Sequence, residues 1–136
     1  MRVFALKPFR RPRLWLGLWL AAVVGVTVLS LVSLSGLPPV PEGGDKVEHF
    51  LAYALLSASA VQVFATRRAC MAIAALLVTL GVGLEFAQGT LTTTRMADPH
   101  DALANTLGVL AGLATLPTPL RGFLLALDTR WRPARA

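Results

Sequence analysis

Long apolar runs alternate with short polar or proline-rich stretches along this chain. Leu14 to Leu34 carries no charged residue. As a helix it would cross about 31 Å, the thickness of a bilayer's hydrocarbon core. It is also too long for the apolar region of a cleaved signal peptide. Gly17, Ala21 and Gly25 recur every four residues along it, a small-residue face that a second helix could approach closely. Ser35 to Gly44 (SGLPPVPEGG) stops any helix with its prolines and glycines. A second run covers 46–64, with Asp45 expected as its N-cap and Glu48 as the capping-box partner. A third covers 69–89 and stays free of charge until Glu85, with Gln88 beyond it. The fourth covers 99–116. Asp98 reads as its N-cap, Pro99 as its first residue and Asp101 as its third, and Pro117 and Pro119 end it.

The pattern predicts an all-α, polytopic membrane protein: a four-helix transmembrane bundle with a short C-terminal interfacial helix. Residues 1–13 form a basic arm, 14–117 the four-span domain and 118–136 an amphipathic tail. In the tail, Leu120, Phe123, Leu124, Leu127 and Trp131 fall at helical spacing, apart from Arg121, Asp128 and Arg132.

Composition agrees. The 136 residues are 55% hydrophobic and 15% charged, well under the share of charge in ordinary soluble domains. The mean hydropathy is +0.64. The net charge of +6 does not point to nucleic acid, because the basic residues flank apolar runs. The N-terminal arm, the 65–68 turn and the tail hold eleven of the thirteen Lys and Arg, leaving Lys46 and Arg95 on the other side. This asymmetry predicts both termini in the cytoplasm. Cys70, the one cysteine, excludes an intramolecular disulfide and reads as a packed or lipid-facing thiol.

With that orientation, the remaining polar residues gather at the outer face. Asp45, Lys46, Glu48 and His49 open the second span, and Tyr53 and Ser57 share a helical face with His49. Glu85 and Gln88 close the third span. Arg95, Asp98, His100, Asp101 and Asn105 lie before or at the start of the fourth. Asp101, Asn105, Gly108 and Gly112 form one stripe, polar at its outer end and small at its inner end.

Each residue has a plain reading beside a functional one. Asp45 and Asp98 are either caps or members of a site. Glu85 either snorkels to the interface, or pairs with Arg95 or Lys46, or transfers protons or binds a ligand. His49 is either a proton shuttle or metal ligand, or a histidine satisfied by Glu85 or Asp101. His49, His100, Glu85 and Asp101 make a two-histidine, two-carboxylate metal set on paper. No local ligand spacing supports it, so neither metal nor cofactor is expected. Ser57 and Ser59 lie too deep for nucleophiles.

DKVEHFLAYALL (45–56), EFAQ (85–88) and RMADPHDALANTLG (95–108) together resemble the VanZ-like membrane protein family. Asp45, Lys46, His49, Phe50, Tyr53, Glu85, Gln88, Arg95, Asp98, Asp101, Asn105 and Gly108 match its pattern in order over about 45–112. Thr94 stands where the family commonly has glycine. The resemblance implies a small bacterial inner-membrane protein of the cell envelope. The family takes its name from a protein associated with low-level teicoplanin resistance, and no biochemical activity is established for it.

Three functions fit these residues. A binding or accessory module would recognise the head group of a membrane lipid or lipid-linked envelope precursor. Its site would comprise Asp45, Lys46, His49, Tyr53, Glu85, Gln88, Arg95, Asp98, Asp101 and Asn105, with Arg95 and Lys46 holding an anion. A structural bundle would use the same polar groups only to lock helix ends. An enzyme would use Glu85 or Asp101 as general base and His49 as acid or shuttle, but no nucleophile motif accompanies them.

Overall fold

The computed structural model describes residues 4–32, 43–91 and 98–130. These fold into five α-helices: α1 (Pro12–Leu31), α2 (Gly44–Val63), α3 (Arg67–Leu91), α4 (Pro99–Leu113) and α5 (Phe123–Arg130). A 3₁₀ turn, Pro119–Gly122, precedes α5. The all-helical class is as expected.

Two helices, Pro12–Leu31 and Arg67–Thr90, are long and apolar enough to cross a membrane. The other two central helices differ from the expectation of four such spans for physical reasons. The first turns of α2 carry Asp45, Lys46, Glu48 and His49, which lower its apolar content. The 15 residues of α4 reach only about 22 Å, and the chain continues through turns at 114–117.

Several ends are legible in local chemistry. Asp98 is the N-cap of α4 as expected, accepting from the His100 N–H at 2.8 Å, with Pro99 as the first helical residue. Asp45 is not the cap of α2. Gly43 takes that position at φ 77°, a left-handed conformation glycine adopts without strain. The helix therefore starts at Gly44, and Asp45 falls inside its first turn. Helix α1 begins at Pro12, ahead of the expected 14–34 run, and ends at Leu31, short of its end.

The centre of the fold is the pairing of α2 with α4, which run in the same direction and share the most extensive packing surface. A Cβ on Gly108 would lie 2.3 Å from the Phe50 carbonyl oxygen, and one on Gly112 would lie 2.4 Å from that of Ala54. The two backbones approach as closely as only glycine permits. The stripe Asp101, Asn105, Gly108 and Gly112 is buried along its whole length. The small-residue face expected on α1 is not used in this way, since a Cβ on Gly17 or Gly25 would meet nothing within 4 Å.

Helix α1 is held by side-chain donors more than by burial. Only Trp19 is buried, and its indole N–H donates to the Leu56 carbonyl at 3.1 Å. Its ring meets Phe64 edge-on at 5.4 Å. At the same end, the N-terminal arm is pinned rather than free. Leu6 pairs with Phe64, and Ala65 N–H donates to Ala5. Lys7 is buried and donates to the carbonyls of Val61 and Arg121. Burial lowers its pKa, and the nearby Arg121 adds to the effect. Arg121 Nη2 donates to the Ala65 carbonyl, and Asp128 of α5 is buried, accepting from the Trp15 indole at 2.9 Å. Leu120, Phe123 and Leu127 are exposed, while Leu124 packs against the core. Cys70 is buried and free.

Gly108→Ala and Gly112→Ala each force the α2–α4 backbones apart and should cost about 1–3 kcal/mol. Gly17→Ala, facing open space, should be neutral or stabilising by up to about 1 kcal/mol. Unfolding in detergent measures both. Equal stabilities for Gly108→Ala and Gly17→Ala would count against the glycine seam.

Candidate functional site

The parallel α2 and α4 begin side by side, and α3 ends against them. Lys46 Nζ donates to Asp98 Oδ2 at 2.9 Å and to Asp45 Oδ2 at 3.1 Å. It also lies 3.3 Å from Asp101 Oδ1, an ion-pair contact without hydrogen-bond alignment. One ammonium thus gathers three carboxylates from two helices. The lysine holds the Asp98 carboxyl well below the usual carboxylate range, and the His100 N–H adds to this.

One turn deeper, His49 Nδ1 lies 3.0 Å from Asn105 Oδ1. With the amide oxygen as acceptor, the neutral ring donates through Nδ1 and keeps its lone pair on Nε2. That Nε2 is 3.7 Å from Asp101 Oδ2. Glu85 Oε1 comes in from α3 to 3.8 Å from His49 Nδ1. Its other oxygen, Oε2, accepts from the Asp98 backbone N–H at 3.4 Å. The last turn of α3 is thereby tied to the cap of α4.

The inner part of this cluster is buried. Glu85 is 5% exposed, Asn105 2% and Tyr53 1%. Among the described residues, Glu85 Oε1, Asp101 Oδ1 and the Tyr53 hydroxyl are buried without a hydrogen-bond partner. Each such group costs about 1–3 kcal/mol. A cleft of about 150 Å³ reaches the cluster from the side. Val26, Leu29 and Ser30 of α1 form one wall, and Glu48, His49, Ala52 and Tyr53 of α2 the other.

The structure therefore brings together seven of the expected site residues: Asp45, Lys46, His49, Glu85, Asp98, Asp101 and Asn105. Tyr53 lies in the core beside the cleft. Gln88 donates to the Ser30 carbonyl at 2.7 Å, fastening α3 to the end of α1. Arg95 lies outside the described residues. His100 is exposed and sits 2.9 Å from Asp98 Oδ1, apart from the His49 group. Ser57 donates to the Val109 carbonyl, and Ser59 to those of Leu55 and Leu56. Neither serine is placed as a nucleophile.

Sequence reasoning missed the contribution of α1. Ser30 and its apolar neighbours had no signal beyond membership of an uncharged run. Lys46 also takes a different place from the anion-holding one expected, because its donors already face carboxylates.

No family model, curated protein or solved structure matches this chain.

The lowered pKa of Asp98 fixes the sign of one pH effect. Its contribution to stability is complete above about pH 4, the unfolded-state value, and is lost as pH falls from there through the lower folded-state value. Thermal melts of the wild type should therefore drop over that acid range. Asp98→Asn should be less stable near neutrality and show a shallower acid drop. An acid profile unchanged by Asp98→Asn would show that the cap and ion pair do not set this dependence.

Proposed function

We propose that the protein is a VanZ-like, four-span protein of the bacterial inner membrane that binds the head group of an envelope lipid or lipid-linked precursor. The reading places both termini in the cytoplasm and the polar cluster at the outer face. A link to glycopeptide resistance of the teicoplanin type comes only with the family resemblance. Support for the orientation is the meeting of the N-terminal arm, the α2–α3 turn and the tail at the end opposite the cluster, since these carry most of the basic residues. Support for multiple spans is the exposure of apolar side chains on every central helix, among them Val24, Leu55, Leu76 and Leu110.

The observation that carries the binding function is the buried, unpartnered Glu85 Oε1, 3.8 Å from the His49 ring that lines a cleft walled on its α1 side mainly by Val26 and Leu29. Such a cleft suits a molecule with a polar head and an acyl tail. Four carboxylates face one lysine among the described members of the cluster. The head group it takes is therefore rich in hydrogen-bond donors, an amine or sugar hydroxyls.

A structural lock is the second reading, favoured by Lys46 among its three carboxylates. The two readings assign different residues to stability. Lys46→Met should lower stability, because it leaves carboxylates without their counter-ion. Glu85→Gln should leave the unfolding temperature unchanged or raise it, since functional groups are often kept at a cost to stability. Mass spectrometry of lipids retained through purification then tests binding directly. Glu85→Gln and Asp101→Asn should each retain about a tenth of the wild-type amount or less, the loss of one charge-assisted contact. If both variants retain the wild-type lipids and both unfold early, the cluster is a lock and not a site.

A further inference from the structure

We propose that His49, Glu85 and Asp101 bind one divalent transition-metal ion, with zinc(II) the best fit. One donor atom from each of the three residues lies within 4.8 Å of the other two. An ion held at about 2.0–2.2 Å in a tetrahedral set needs donors about 3.3–3.6 Å apart. His49 Nε2 and Asp101 Oδ2, at 3.7 Å, are nearly there. Glu85 Oε1 lies nearer the other ring nitrogen, 3.8 Å from Nδ1, and its side chain must turn toward Nε2 to complete the set.

The second observation is independent of this clustering. Glu85 Oε1 is buried and without a hydrogen-bond partner among the described residues, and it faces the histidine at 3.8 Å. A buried carboxylate oxygen left in this way is stabilised most by a cation.

The outer atoms of all three residues are already held. Asn105 accepts from His49 Nδ1, which directs the lone pair to Nε2. The Asp98 backbone N–H holds Glu85 Oε2, and Lys46 faces Asp101 Oδ1. Metal ligands are commonly oriented in this manner by their second partners. An imidazole in the set favours zinc or a similar ion over magnesium and calcium. Three protein ligands leave a fourth position open to water or an incoming oxygen. The cleft that His49 lines gives the ion a way in. The neighbouring set Asp45, Asp98 and Asp101 is also close enough to hold an ion, but Lys46 already occupies it.

The test uses the ion alone and does not depend on the head-group reading. The full chain, purified in detergent through a tag without histidine and stripped with a chelator, is dialysed against zinc, desalted and assayed for metal. One zinc per chain is expected. Glu85→Gln and His49→Gln should bind at least about tenfold more weakly, the loss of one ligand, while His100→Ala should bind as wild type does. Zinc should raise the unfolding temperature of the wild type and not that of Glu85→Gln. Cobalt(II) in the wild type should give the strong visible absorption of a four-coordinate site, a readout that needs no variant. Absence of zinc and of the cobalt spectrum in the wild type overturns the proposal. So does full binding by the Glu85 and His49 variants, which would mark the ion as adventitious.

Discussion

The close approach of α2 and α4 is the constraint on which the other contacts depend. Where a Cβ would stand, Gly108 and Gly112 have the carbonyl oxygens of Phe50 and Ala54. With any larger residue the helices would separate, and the short bonds between their first turns would open with them. The ammonium of Lys46 reaches Asp98, and the ring of His49 reaches Asn105, because the backbones below are nearly in contact. Helix α3 then has a fixed surface to close on. It delivers Glu85 to the same depth by way of the Asp98 N–H.

The parallel direction of the pair has an electrostatic result. Two helix N-termini point at the cluster, and each carries a partial positive charge. Asp45, Asp98 and Asp101 sit within the first turn or at the cap of those helices, where a carboxylate is favoured. This helps explain how four carboxylates share a small volume with one lysine. Glu85 is the exception, because it lies near the end of α3, where the dipole opposes a negative charge. Its Oε1 is also without a hydrogen-bond partner, and unlike the unpartnered Asp101 Oδ1 it is not in ion-pair contact with Lys46. The least compensated charge in the cluster is therefore the one contributed by the third helix.

Much of the fold was legible in the sequence because it is written locally. Asp98 followed by Pro99 marks a helix start within three residues, and the structure has it there. The stripe from Asp101 to Gly112 follows from helical spacing. Gly43 displaced Asp45 as a cap because a left-handed glycine can end a loop without any side chain. The convergence of His49, Glu85 and Asp101 was harder to read. Three helices contribute one residue each, so no local ligand spacing exists to detect. Lys7 and Asp128 were illegible for the same reason. Lys7 bonds to a carbonyl 54 residues away, and Asp128 to an indole 113 residues away. Nothing in a basic arm or an amphipathic tail announces that one of its charged residues is buried.

The glycine seam repeats with the period of a helical turn, which has a consequence for how the pair finds its register. Gly112 lies against Ala54 and Ala58 one turn beyond the place where Gly108 lies against Phe50 and Ala54. Sliding α4 by one turn along α2 would seat Gly108 where Gly112 is and put Ala104 in the place of Gly108. In packing, that misalignment puts the Cβ of Ala104 where only glycine fits, against the Phe50 carbonyl oxygen. In charge it is wrong by a full turn of about 5.4 Å, which strands Lys46 from Asp98 and His49 from Asn105. The seam and the polar end therefore reject the same slip twice, once by shape and once by charge.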